Sequence, residues 1–194
     1  MKRVKVCGSK VKSKYDITVT GSKSESNRLL ILQSIFKNIL IKNLSSSDDT
    51  QILKKSLDSK EDNLNVGHAG TAMRFLTAYL ATLENKKFLL SGSKRMNERP
   101  IGILVEALRD LGFNIRFIKN EGFPPIQILG GKNHKNKVKL KSTVSSQYIS
   151  ALMLIAPSLE NGLEIELDGK IISKPYINMT LSILIDLGVS ARFT

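Results

Sequence analysis

ERPIGILVEALRDLGFNIRF, residues 98–117, returns 76 positions later as KPYINMTLSILIDLGVSARF, residues 174–193. Asp110, Leu111, Gly112 and Phe117 then lie over Asp186, Leu187, Gly188 and Phe193. The same shift lays AGTAMRFLTAYLA (69–81) over SSQYISALMLIAP (145–157), with Leu76 over Leu152. One offset that aligns two separate apolar-periodic segments marks a duplicated subdomain. The period is too long for a solenoid unit of roughly 20 to 50 residues and suits a unit of two helices plus strands. The stretch from Gly21 to about Lys60 reads as part of an earlier, more diverged copy.

Working outward, Thr71 to Leu83 has helical periodicity and Lys87 to Leu90 is extended. Pro100 at a first helical position and Gly112 just past the end bracket a further helix. FNIRFI (113–118), PIQIL (125–129) and KVKLK (137–141) alternate apolar with polar and predict strands. The last copy predicts a helix from Ser146 to near Pro157, a strand at LEIEL (163–167) and a helix from Pro175 to Gly188. Asp48 and Asp49 are expected to cap a helix over 50–58, and Asp110 to sit in a last helical turn. Strands alternating with helices predict an α/β or α+β layer architecture.

Three of these helix starts share one device, a small hydroxyl or glycine turn edged by a cationic or amide side chain: GSKSESNR (21–28), GHAGTAMR (67–74) and TVSSQYIS (143–150). A helix start offers unpaired N–H groups and the positive end of the macrodipole, so an anion, phosphate above all, can dock there. In the first, Ser22 and Glu25 stand in capping-box register ahead of an apolar stripe of Leu29, Leu32, Ile35 and Phe36. Lys23, Ser24 and Arg28 then fall in or beside the first turn, where a cation opposes the dipole by about 0.3 to 1 kcal/mol unless an anion is bound.

Composition narrows the classes. No apolar run approaches the 18 or so residues of a membrane span, and MKRVKVCGSK has charge without the apolar stretch of a secretory signal. The lone Cys7 forms no internal disulfide and fits a reducing cytoplasm, and histidines only at 68 and 134 argue against a metal centre. The net charge of +13 suggests nucleic acid, but lysine supplies 22 of the 30 cations, scattered singly and without interleaved aromatics. The arginines are better placed: Arg28, Arg74 and Arg99 stand at or near helix starts, where their forks suit small phosphates and carboxylates.

GSKSESNR, AGTAMRFL, RMNERPIGILVEALRDLG, STVSSQYISAL and ISKPYINMTL, in this order and spacing, closely resemble the N-terminal half of the 5-enolpyruvylshikimate-3-phosphate synthase family, from about Lys10 to the last residue. The sister family that acts on a UDP-aminosugar is the poorer match, lacking the SKSxSNR and SSQ pairing. The resemblance implies an enolpyruvyl transferase-like inverse α/β domain of repeated two-helix units. Residues 16–194 would form the substrate-binding domain, incomplete at its C-terminus, and 1–15 would belong to the other domain of a full-length chain.

It also implies an activity, transfer of the enolpyruvyl group of phosphoenolpyruvate to the 5-hydroxyl of shikimate 3-phosphate with loss of phosphate. No cofactor or metal is implied, and a cytoplasmic enzyme, monomeric at full length, is. The partners are those two small molecules, with no nucleic acid and no membrane. Residue by residue, Lys23, Gly70, Arg99 and Gln147 match phosphoenolpyruvate contacts, with Lys23 near the reacting atoms. Lys23, Ser24, Arg28, Ser145, Ser146, Ser173 and Tyr176 match positions around shikimate 3-phosphate. The three serines also suit ordinary caps, Tyr176 a half-buried packing role, and Arg74 a structural ion pair. His68 reads as a loop residue, and Phe75 replaces the proline usual after this arginine. The family's acid and base carboxylates lie in the half not represented here, so the chain is expected to bind substrates and to be inactive alone. The competing expectations are a noncatalytic anion-binding module and a basic nucleic-acid binder.

Overall fold

The computed structural model describes residues 3–8, 14, 16–141, 143–171 and 173–193. Among these, two helices come first, α1 (Lys23–Ile35) and α2 (Asp48–Asp58). A first unit follows: β1 (Asn63–Asn65), α3 (Gly70–Ala81), β2 (Lys87–Ser91), the one-turn α4 (Lys94–Asn97), α5 (Gly102–Asp110), β3 (Asn114–Phe117) and β4 (Ile126–Leu129). The second unit repeats its first half as β5 (Lys137–Lys141), α6 (Ser146–Ile155), β6 (Glu164–Asp168) and α7 (Lys174–Asp186).

The duplication read from the 76-residue offset is visible in the topology. β1 pairs with β2 in parallel, Leu64 beside Leu90, and β5 pairs with β6 in parallel, Leu140 beside Leu167. Each pair is joined across by a buried helix, α3 or α6. The first unit extends its sheet to the order β1-β2-β4-β3 through antiparallel pairing, while the second keeps two strands. The result is a mixed α/β fold of repeated units, as the sequence predicts. No described helix is long and apolar enough to cross a membrane.

α3 is apolar or small nearly all round, with every residue except Tyr79 buried, and such a helix belongs in a core. It packs on α6, whose Ile149, Leu152 and Leu154 are equally enclosed. α1 lies against both and is tied to α2 by Asn27, which is fully buried and accepts from the Thr50 hydroxyl at 2.8 Å. The helix ends follow backbone demands: Gly112 (φ 106°) and Gly188 (φ 84°) close α5 and α7 in the left-handed region, as expected for glycine just past a helix.

Two expected boundaries are corrected. Pro100 is not the first residue of α5, which begins at Gly102; the N–H groups of Ile101 and Gly102 both donate to the Gly122 carbonyl, at 2.9 and 3.0 Å. A loop distant in sequence thus supplies the start that a proline was expected to mark. The second helix begins at Asp48, with Ser47 in the cap position, so Asp48 and Asp49 lie inside its first turn instead of capping it. Asp49 instead accepts from the Thr71 N–H at 3.1 Å, satisfying the start of α3.

Candidate functional site

The expected site residues fall into two clusters at the helix starts. The first surrounds the start of α3. Gly70 is its first residue and its φ is not positive, so glycine is not needed there for backbone angle. It is needed for space: a Cβ would lie 2.6 Å from Nη1, 2.9 Å from Nη2 and 3.1 Å from Cζ of Arg99. Thr71, next along, accepts from the Gln147 side-chain amide at 3.3 Å. These two residues are 76 positions apart, so the repeat offset places them at equivalent first turns of α3 and α6. Gly70, Arg99 and Gln147 are therefore brought to one place.

The second cluster is organised by Arg28, which is 3% exposed. Its guanidinium donates from Nη1 to the Ser24 carbonyl at 2.8 Å, from Nη2 to the Ser150 hydroxyl at 2.9 Å and the Tyr176 carbonyl at 3.2 Å, and from Nε to the Thr180 hydroxyl at 2.7 Å. Its Cζ lies 5.6 Å from the centre of the Phe75 ring. Phe75, at the position where the family pattern has proline, is thus a buried platform for the cation. Burial pushes the Arg28 pKa down to about 10, which still leaves it charged at neutral pH.

The remaining expected residues border these clusters. Lys23 is the exposed first residue of α1, beside Ser24. Ser145 caps α6, its hydroxyl accepting from the Gln147 N–H at 3.3 Å, and Ser146 is the first helical residue. Ser173 takes the cap position of α7 with φ 59° but makes no side-chain cap bond. Tyr176 is 47% exposed, about half buried. His68 is an exposed residue of the turn before α3.

Arg74 is structural but not ion-paired. Its Nη1 donates to the Gly70 carbonyl at 2.9 Å and its Nη2 to the Pro100 carbonyl at 3.3 Å, over the Tyr148 ring. Thr71, Asp49, Ser150 and Thr180 are partners that sequence reasoning missed. The offset held one signal for them, since it lays Ser150 over Arg74. A cavity of about 690 Å³ opens between α5 and β5, but Ile103, Glu106, Arg109 and Lys139 line it and no candidate residue does. At these helix starts Lys23 and Arg99 are exposed, whereas Arg28 and Arg74 are buried and bonded to internal carbonyls. No described cluster of His, Cys, Asp or Glu has metal-binding geometry.

Fold and site together define an α/β repeat domain whose helix starts gather arginine, serine and amide side chains. The model of the EPSP synthase (3-phosphoshikimate 1-carboxyvinyltransferase) family matches residues 51–193, and the chain belongs to that family. It is 48% identical over 182 residues to the 3-phosphoshikimate 1-carboxyvinyltransferase of Bacteroides fragilis (strain YCH46), covering 93% of this chain and 44% of that protein. The Haemophilus influenzae (strain PittEE) protein of the same name is 41% identical over 206 residues, covering 91% of this chain and 48% of the relative. The solved EPSP synthase of Acinetobacter baumannii superposes with a TM-score of 0.73 at 19% identity, over 92% of this chain and 45% of that one, a likeness of fold. The chain thus spans less than half the length of these relatives.

Proposed function

We propose that this chain carries the substrate-binding half of a 3-phosphoshikimate 1-carboxyvinyltransferase, holding phosphoenolpyruvate and shikimate 3-phosphate for enolpyruvyl transfer in the cytoplasm. The observation that carries the reading is the Arg99 guanidinium packed on the Cα of Gly70, at the start of α3 and beside the Gln147–Thr71 bond. An anion set there meets helix N–H groups, a guanidinium fork and a side-chain amide at once. Lys23, Gly70, Arg99 and Gln147 form the phosphoenolpyruvate side. Lys23, Ser24, Arg28, Ser145, Ser146, Ser173 and Tyr176 form the side for shikimate 3-phosphate. Lys23, at the first residue of α1, is shared by both.

These groups hold two anions together and stabilise charge, which is positioning and electrostatic catalysis. Proton transfer needs a group within about 2.6 to 3.2 Å of the proton moved. Asp49, beside the start of α3, accepts from the Thr71 N–H. The family resemblance places the acid and base groups in a second domain, to which residues 1–15 also belong. Val4 and Val6, 92% and 89% exposed, fit a segment whose packing partner lies there. No nucleic acid, membrane, metal or cofactor takes part, and the complete enzyme is a monomer.

Calorimetry tests the site. Shikimate 3-phosphate binds the chain far better than shikimate, because two or three charge-assisted bonds of about 1.5 to 3 kcal/mol each are lost with the phosphate. Equal affinities would sink the assignment. Assays of phosphate release separate enzyme from binding module: the chain alone gives none with both substrates, and adding the complementary domain restores turnover. Turnover by the chain alone would return the search for acid and base to its own carboxylates.

A further inference from the structure

Strand β2 leaves its sheet at Ser91 and passes through Gly92 and Ser93 into α4, which ends two residues before Arg99. The segment 66–69, leading from β1 to Gly70, runs beside it. Two backbone bonds clamp the segments: the Val66 N–H donates to the Ser91 carbonyl at 2.9 Å, and the Ser93 N–H to the Gly67 carbonyl at 2.8 Å. Between these bonds Gly92 has no room for a side chain. A Cβ there would lie 2.7 Å from the Gly67 carbonyl oxygen and 2.6 Å from Met96 Cγ.

Backbone angle does not account for this glycine. Gly92 is not among the residues of positive φ, so other residues could adopt its conformation. Gly67 (φ 54°) and Gly169 (φ 95°), which follows β6 as Gly92 follows β2, are glycines for their angles. At Gly67 a Cβ would meet nothing closer than 4.0 Å, so of these two Gly92 is the glycine for contact. The contact bears on the site through Met96, which is 1% exposed, lies 3.9 Å from Arg74 Nη1 and accepts the Arg99 N–H on its carbonyl at 3.0 Å. The side chain that Gly92 admits is thus one end of a short path of contacts, and the Arg99 guanidinium against Gly70 is the other.

We propose that Gly92 is a positioning residue for the anion site: by letting Met96 and the Gly67 carbonyl close on the exit of β2, it sets the spacing between Gly70 and the Arg99 guanidinium. That spacing fixes the fit of a compact oxyanion, a phosphate or carboxylate, between the start of α3 and the fork. The proposal rests on the reading of Gly70 and Arg99 as anion-binding groups.

NMR of the 194-residue chain tests both layers, with inorganic phosphate as the probe. Gly92→Ala shifts the Gly70 amide and Arg99 Nε–H resonances in the ligand-free protein and weakens phosphate binding by about tenfold, a misplacement effect rather than a loss of fold. Ile128→Val, a buried change in β4 of the same sheet, lowers stability but leaves both resonances and the affinity alone. If Gly92→Ala does not fold, Met96→Ala loosens the same path from its other side and moves the same two resonances. Unchanged resonances and affinity in the folded variant overturn the positioning role. Shifted resonances in a protein whose wild type does not respond to phosphate overturn instead the anion reading of Gly70 and Arg99, and leave Gly92 with a structural role only.

Discussion

The two units each hold a guanidinium at the same place but take it from different helices. In the first, Arg74 on α3 binds its own helix at the Gly70 carbonyl and the entry of the following helix at the Pro100 carbonyl. In the second, the position 76 residues beyond Pro100 is Tyr176, and its carbonyl is met by Arg28 on α1. The position matching Arg74 is Ser150, whose small side chain leaves room for the visiting guanidinium and accepts from its Nη2 at 2.9 Å. The chain separation rises from 26 residues for Arg74–Pro100 to 148 for Arg28–Tyr176. At each helix entry the carbonyl takes a guanidinium beside a hydroxyl, Tyr148 at Pro100 and Thr180 at Tyr176, and a different segment brings the guanidinium in each unit. The first unit can assemble this contact locally. The second cannot complete it until α1 has docked.

The largest expected break of this comparison is Arg28→Leu. It removes four interior hydrogen bonds, to the Ser24 and Tyr176 carbonyls and the Ser150 and Thr180 hydroxyls, although Thr180 still meets the Tyr176 carbonyl and Ser150 at 2.9 Å; the loss is about 3 kcal/mol in urea unfolding. The loss is constant from about pH 5 to about pH 9. A group that deprotonates near 10 in the folded chain, and higher still when unfolded, keeps its proton in both states over that window. A clear slope within it would mean that another titrating group is coupled to the site.

Arg74→Leu is expected to cost less, about 2 kcal/mol, because it removes two hydrogen bonds to oxygen where Arg28→Leu removes four. A cost equal to that of Arg28→Leu would show that the borrowed and local guanidiniums are energetically alike. A double-mutant cycle sharpens the contrast. Arg28→Leu with Thr180→Val couples by about 1 to 2 kcal/mol, whereas Arg74→Leu with Thr180→Val is additive within about 0.5 kcal/mol.

Gly70→Ala has a smaller effect on folding and a larger one on binding. Alanine suits a helix better than glycine by up to about 1 kcal/mol, and the atoms it meets are the far end of the Arg99 side chain, so stability changes little. Phosphate affinity falls, because the guanidinium must leave its seat. Unchanged affinity would reduce Gly70 to a packing residue. The smallest effect is expected on the outer face of the second unit, where Lys137 and Lys139 interleave with Glu164, Glu166 and Asp168 across β5 and β6. All are solvated, so molar salt weakens the pairs without altering the strand register that Leu140 and Leu167 set.

Much of this was legible in residues that act locally. Helix starts at Ser22, Ser145 and the glycine-rich turn before Thr71 follow from caps and apolar periodicity, and the duplication follows from the offset, since both signals are repeated within a few turns. The grouping of Gly70 with Arg99 was expected only through family resemblance, and the structure gives it a cause in steric contact. Pro100 misled because its usual place at a helix start is a statistical tendency, and here the Gly122 carbonyl outcompeted it.

The sequence by itself determined most of the helices and strands, though not β1 or α4, that a two-helix unit occurs twice, and which family the motifs match, because periodicity, capping and motif spacing operate over neighbouring residues. Tertiary structure alone decided that Asp49 serves α3 instead of its own helix, that Arg28 is buried under the second unit, and that Gly92 is a glycine for space. Each of these satisfies a buried polar group or fills a gap between segments far apart in the chain. Such demands exist only once the segments have been brought together.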